Sequence, residues 1–359
     1  MYLQRRKHMS KHKEPTIAIC CLLALLLLLV IKRNLVRMIF YSNWDPQVPL
    51  HLDHWSGTIY THVPYSEVSD SNYLNLYVPN EKRPPLLVLV HGGGFVFNDC
   101  ESRQAQLFYQ YMRDHGYACA TVNYRLAQEA KFPAALQDVK CAIRYLRANA
   151  DVYGYDADSI IIWGESAGGY LAVMAGVTTD EQFNDLPFIG EAEHPPVSAK
   201  VHTIVDYYGA VHMESWAKRK AAFRELGVPG FIVDLSGLWL SDKMKELGTT
   251  GSVEEYFTGV NFDTAPESET AKYSPAYYIE QNLTPESGVD VIIWHGDADL
   301  TVPVTESKAL YDQLQRLGIN STLRIFHNVK HAGEKMYSDT ALADLDVLIQ
   351  ISRKGAPLP

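Results

Sequence analysis

The most constraining stretch of this chain is Ile160-Ile161-Ile162-Trp163-Gly164-Glu165-Ser166-Ala167-Gly168-Gly169-Tyr170. Four apolar residues of buried-strand character run straight into a G-x-S-x-G motif, and a small-residue helix follows from Tyr170 to Val177. A strand that turns sharply into a helix leaves the serine exposed at the tip of the turn. Gly164 and Gly168 are required because the two backbones pass so closely there that a Cβ would collide. A G-x-S-x-G pattern recurs by chance, so Ser166 is a candidate nucleophile only if companions lie elsewhere in the chain.

Three such companions exist. Leu86-Leu87-Val88-Leu89-Val90 is an apolar run of strand length, followed at once by His91-Gly92-Gly93-Gly94-Phe95. Successive glycines after a buried strand cost backbone entropy on folding. They make sense where backbone N–H groups must face an anion, which assigns Gly93 and Gly94, with Ala167 after the serine, to an oxyanion hole. Val291-Ile292-Ile293-Trp294 is another buried strand, ending in His295-Gly296-Asp297-Ala298-Asp299. An acid just past a parallel strand reaches the crevice above the sheet. Asp299 is taken as that acid, and Asp297 as an Asx-type turn with its own backbone. After the alternating strand Ser321–Phe326 comes His327-Asn328-Val329-Lys330-His331-Ala332-Gly333. His331, set beside a small residue and a glycine, is the candidate base; His327, at the strand's edge, reads as structural.

These motifs, in the order Ser…Asp…His, resemble the α/β-hydrolase superfamily, specifically its esterase/lipase branch of the hormone-sensitive-lipase and bacterial acetyl- or feruloyl-esterase type. The resemblance spans roughly residues 56–352. It includes Asn123-Tyr124-Arg125-Leu126 and Phe132-Pro133-Ala134-Ala135-Leu136-Gln137-Asp138-Val139, similar to the family's segment between the fourth strand and the next helix. Glu165 stands where hormone-sensitive-lipase relatives carry Asp and looks more like carboxylesterases. The fold implied is α/β, a mostly parallel sheet with helices on both faces and a cap insertion.

The chain outside the motifs agrees with one catalytic domain plus appendages. Strands are expected at 58–62, 74–78, 86–90, 118–122, 160–163, 201–207, 290–294 and 321–326. Helices are expected at 133–149, 169–177, 304–317 and 339–352. Residues 209–274 break this rhythm: Trp216, Phe223, Phe231, Leu238, Trp239 and Leu240 lie among polar stretches, with charges such as Lys218, Arg219, Lys220, Asp242 and Lys243. The resemblance implies that this insertion caps the site.

The amino terminus differs in kind. Residues 1–15 form a basic tail, and Thr16–Ile31 is uncharged and mostly aliphatic, followed by Lys32-Arg33-Asn34 rather than a small-x-small cleavage site. Extended by Leu35–Phe40, segment 16–40 reads as a signal anchor with the tail cytoplasmic and the catalytic domain, 41–359, outside. Secretion after signal cleavage is the alternative. Residues 1–40 carry net charge +7, so the whole chain's −10 leaves −17 on residues 41–359. An acidic body excludes nucleic acid as partner. Of five cysteines, Cys100, Cys119 and Cys141 lie in the body without C-x-x-C spacing, so structural zinc is not expected.

The expectation is therefore a serine carboxylic-ester hydrolase acting on short acyl, acetyl-type esters of a small or carbohydrate alcohol. Ser166 would be the nucleophile, His331 the base and Asp299 the acid, with no metal or cofactor. A serine peptidase or amidase of the same fold, and an inactive membrane-tethered binding module, are the competing readings.

Overall fold

Aliphatic runs in this chain alternate between two cores. The computed structural model describes residues 55–213, 216–228, 244–249 and 251–359. Its strands are β1 (Gly57–Pro64), β2 (Tyr73–Pro79), β3 (Pro85–Val90), β4 (Ala118–Val122), β5 (Asp156–Glu165), β6 (Thr203–Tyr207), β7 (Asp290–Gly296) and β8 (Ser321–Phe326). They form one sheet in the order β1-β2-β4-β3-β5-β6-β7-β8. β1 and β2, and β2 and β4, pair antiparallel; every other pairing is parallel.

The main helices are α1 (Arg103–Asp114), α2 (Ala134–Ala148), α3 (Ala167–Val177), α4 (Trp216–Glu225), α5 (Val253–Thr258), α6 (Pro275–Asn282), α7 (Thr305–Arg316) and α8 (Asp339–Arg353). Side chains alternate across a pleated strand, so each central strand feeds both faces. Leu86, Val88, Ile160, Ile162, Ile204, Val291 and Ile293 join α2 and α3 in one core. Leu87, Leu89, Ile161, Trp163, Val205, Ile292 and Trp294 pack against Phe108 and Met112 of α1 and Leu345 and Ile349 of α8 in the other. This is why the parallel strands read as continuous apolar runs.

The expected strands and helices are present, with boundary shifts of a few residues. β5 begins at Asp156 rather than 160, and α3 begins directly after Ser166 rather than at 169. Helix α1 was not expected. Its apolar spacing is nonetheless legible: Ala105, Phe108, Tyr109 and Met112 form the buried face, and Ser102 caps it by accepting the Ala105 N–H at 3.3 Å. Lys140, wholly buried on α2, closes the far end of α3: its Nζ donates to Thr178 Oγ1 at 3.2 Å and to the Thr179 carbonyl at 2.6 Å. A cation at that end complements the helix dipole whose positive end lies beside Ser166.

Of the 209–274 insertion, the described parts include α4 and α5. Phe231, Leu238, Trp239, Leu240, Asp242 and Lys243 lie outside the described residues, as do the amino-terminal segments 1–15 and 16–40. Among the described residues no helix is long and apolar enough to cross a membrane. Cys100, Cys119 and Cys141 are buried free thiols.

Candidate active site

The turn from β5 into α3 holds Ser166 at φ 55°, ψ −119°. A non-glycine residue in that region is strained and persists only where its surroundings over-determine it. Here Ser166 N–H donates to the Tyr207 carbonyl at 2.9 Å, and the Ser166 carbonyl accepts from Tyr170 N at 3.0 Å. A Cβ on Gly164 would strike the Gly168 carbonyl, and one on Gly168 would strike the carbonyls of Val90 and His91. The two glycines therefore permit the turn by close approach.

His331 lies in the loop after β8 and Asp299 in the loop after β7. His331 Nε2 stands 3.0 Å from Ser166 Oγ, and His331 Nδ1 stands 2.6 Å from Asp299 Oδ2. Because the carboxylate can only accept, Nδ1 carries the hydrogen and Nε2 is left to accept from the serine hydroxyl. The structure thus brings Ser166, His331 and Asp299 into one hydrogen-bonded line.

The two aspartates of the β7 loop exchange one expected contact. Asp299, not Asp297, makes the Asx-type turn: its Oδ1 accepts Thr301 N–H at 2.7 Å and Val302 N–H at 3.0 Å. Asp297 reaches across the chain instead, accepting Asn328 N–H at 2.6 Å and meeting His327 Nδ1 at 2.8 Å on the surface. The turn geometry thereby locks Asp299 with its second oxygen facing His331.

The glycine loop after β3 has three consecutive residues at positive φ: Gly93 (118°), Gly94 (57°) and Phe95 (64°). Gly93 turns its carbonyl inward, where it accepts from Val96 N at 3.1 Å and Phe97 N at 3.2 Å. Among the described residues, the N–H groups of Gly93, Gly94 and Ala167 have no intramolecular acceptor. Supports beneath the loop went unassigned from sequence. His91 Nδ1 stands 2.8 Å from the Gly92 carbonyl, its ring stacks on Tyr124 at 4.3 Å, and Tyr124 Oη donates to the His91 carbonyl at 2.8 Å. Burial pulls the His91 imidazole down to about 4, which keeps it uncharged at neutral pH. From the insertion side, Phe257 of α5 stacks on Phe95 at 3.8 Å.

Two buried carboxyls, Asp206 in β6 and Asp299 just past β7, have opposite electrostatic outcomes. Burial alone would raise Asp299, yet His331 and His295 together hold it well below the usual carboxylate range. His295 Nε2 lies 3.3 Å from Asp299 Oδ2 and 3.0 Å from the Val302 carbonyl, and its Nδ1 lies 2.7 Å from Ser307 Oγ. For His331, burial disfavours the proton, but Asp299 and then Glu165 outweigh it, and the imidazole is raised. Asp206 is pushed up to about 7 by burial, with His295 and the Gly209 N–H only partly opposing.

That last shift has a stability signature. The folded-state pKa of Asp206 lies above the unfolded value, so the folded protein binds more protons between about pH 4 and 7. Unfolding free energy therefore drops as pH rises through that window, by up to about 4 kcal/mol from this group. Asp206→Asn is expected to gain on wild type by about 1–3 kcal/mol between pH 5 and pH 8 in urea unfolding. A difference between the two proteins that stays the same at both pH values would show an unperturbed carboxyl.

Comparison with known proteins places this arrangement. The BD-FAE family model matches residues 74–314. The chain is similar to Esterase LipC of Mycobacterium tuberculosis, 26% identical over 235 residues, which are 65% of this chain and 49% of LipC. It is similar to the Ethyl acetate hydrolase of Pseudomonas putida, 31% identical over 137 residues, covering 37% of this chain and 41% of that protein. The chain thus spans about half the length, or less, of these curated relatives. Among solved structures, a truncated form of carbohydrate esterase from gut microbiota superimposes with a TM-score of 0.65 at 23% identity, covering 84% of this chain and 98% of that one, which shows the fold. With the strand carrying the glycine loop, the serine elbow and the Asp299 loop all inside the matched stretch, the chain belongs to the BD-FAE family, in the esterase branch of the α/β-hydrolase superfamily.

Proposed function

We propose that the protein is a serine carboxylic-ester hydrolase acting on short acyl, acetyl-type esters. The observation that carries the reading is the line Ser166–His331–Asp299, set beside the free N–H groups of Gly93, Gly94 and Ala167. Ser166 Oγ attacks the ester carbonyl as His331 Nε2 takes its proton. Asp299 holds the imidazole in the required tautomer and stabilises the imidazolium. The carbonyl oxygen gains charge in the tetrahedral intermediate and is received by the glycine-loop and Ala167 N–H groups. His331 then delivers the proton to the leaving alcohol. Water repeats the sequence on the acyl-enzyme and releases the carboxylic acid.

The acyl preference rests on chemistry around the loop. A long-chain lipase needs an apolar trench and an apolar entrance face of several hundred Å². The body here carries net charge −17, and the insertion presents Arg219 paired with Glu254 at 2.5 Å, both buried. Beside the loop, Phe95 and Phe257 fill space with stacked rings. The relative named ethyl acetate hydrolase is consistent with a short acyl group. The alcohol is proposed to be small or a carbohydrate.

A p-nitrophenyl ester series tests this directly. With each misplaced methylene worth about 1–3 kcal/mol, kcat/KM is expected to fall steeply past about four acyl carbons. A kcat/KM that climbs through octanoate would overturn the short-acyl reading. Faster turnover of acetyl anilides than of acetyl esters would make the protein an amidase.

A further inference from the structure

Glu165 takes no part in the proton transfers proposed above, yet it sits where three parts of the site meet. It is buried, at the end of β5 beside the nucleophile. Its Oε1 accepts the Gly92 N–H at 2.8 Å, at the root of the glycine loop. The carboxylate lies flat against that backbone: a Cβ on Gly92 would meet Oε1 at 2.5 Å and Oε2 at 2.6 Å. The Tyr208 hydroxyl also faces this carboxyl and favours its charged form. Tyr208 and Tyr337 are bonded hydroxyl to hydroxyl.

Tyr208 is itself an outlier. It follows β6 at φ 44°, a region that bulky side chains rarely enter, and its N–H is held by the Trp294 carbonyl at 2.9 Å. That backbone turns the ring toward His331, with centroids 4.8 Å apart and planes at 64°. Strain of this kind, held by its surroundings, clusters at working parts of a protein.

We propose that Glu165 is a positioning residue that ties the oxyanion loop to His331: its carboxyl anchors the Gly92 N–H at the root of that loop, and its negative charge favours the imidazolium formed during turnover. The inference rests on the serine-hydrolase reading of the site. The groups facing His331 are Asp299 from the β7 loop, Glu165 from β5, Arg219 from α4, and the Tyr208 ring after β6. Of these, Asp299 and Glu165 favour the protonated ring and Arg219 opposes it. Burial pushes the Glu165 carboxyl above its ordinary range, and His331, the Gly92 N–H and the Tyr208 hydroxyl only partly oppose it.

The test separates charge from shape. Glu165→Gln keeps the length and an acceptor for Gly92 but loses the charge. Glu165→Asp keeps the charge but withdraws it from the loop. Turnover of p-nitrophenyl acetate is followed from pH 5 to 9 for both, together with fluorophosphonate labelling of Ser166. The base must be uncharged in the free enzyme, so kcat/KM falls on the acid side as His331 takes a proton. Removing a facing negative charge makes that proton easier to lose, and Glu165→Gln should move the acid limb down by about one pH unit. It should also lower kcat about tenfold while KM changes little, as expected for an interaction felt in the transition state. Glu165→Asp should lower kcat and leave the acid limb near its wild-type position.

If Glu165→Gln does not fold, Tyr208→Phe reads the same link: kcat should drop several-fold at unchanged KM. Wild-type kcat and acid limb in Glu165→Gln, or in its absence unaltered kinetics in Tyr208→Phe, would overturn the inference. These outcomes count against the inference alone when fluorophosphonate labels Ser166 in the wild type. Failure of that labelling would overturn the reading of the site, and the inference with it.

Discussion

Ser166→Ala is expected to abolish turnover of p-nitrophenyl acetate while leaving the melting temperature within a few degrees of wild type. The serine hydroxyl is spent on one contact, with His331 Nε2 at 3.0 Å. The strained turn is held instead by backbone bonds to Tyr207 and Tyr170 that alanine retains. Loss of the nucleophile in a triad of this kind costs on the order of 10⁶ in kcat, leaving a residue of roughly 10³ over water from the oxyanion donors and binding. Steady-state rates and thermal unfolding on the same preparation check both halves. Activity far above that residue would mean a different nucleophile. A large fall in melting temperature would mean that the hydroxyl is structural.

Asp299→Asn is expected to lower kcat about 10⁴-fold, with Asp297→Asn near wild type. An amide at 299 can turn its oxygen to Thr301 and Val302, which keeps the loop, but it then presents NH₂ to His331. The imidazole must flip its hydrogen to Nε2, where it can no longer accept from Ser166. Asp297 faces His327 at the surface, with the His327 side chain 83% exposed. Its loss removes one solvent-screened pair, of the kind worth less than about 1 kcal/mol. Parallel kinetics on the two variants decide the assignment, and an equal or larger loss at 297 would reverse it.

The junctions that carry the candidate site are legible because parallel strands buried on both faces read as apolar runs, and three of these runs stop at its loops. Val88 to Val90 stops at His91, Ile161 to Trp163 stops at Gly164, and Ile292 to Trp294 stops at His295. What decided between Asp297 and Asp299 was position along a turn, and the turn chemistry itself was read onto the wrong residue. Helix α1 is hard to read from sequence because its half-buried face carries Arg103, Gln104, Gln106 and Gln110, which masks a regular apolar stripe. Glu165, Tyr208, His91 and His295 went without roles for a different reason. Their partners are Gly92, Tyr337, Tyr124 and Ser307, and only the sheet order brings most of these pairs together.

The stacking of Phe257 on Phe95 has a consequence for how members of this fold diversify. Phe95 belongs to the same positive-φ run as Gly93 and Gly94, and Val253 of α5 lies against Gly94 as well. The insertion is therefore mechanically continuous with the backbone N–H groups proposed to receive the oxyanion. Grafting a foreign insertion between β6 and α6 alters the footing of those donors along with the pocket wall. Selectivity and speed are then coupled, and a transplanted insertion needs a partner for Phe95 in place of Phe257 before it runs at the donor's rate.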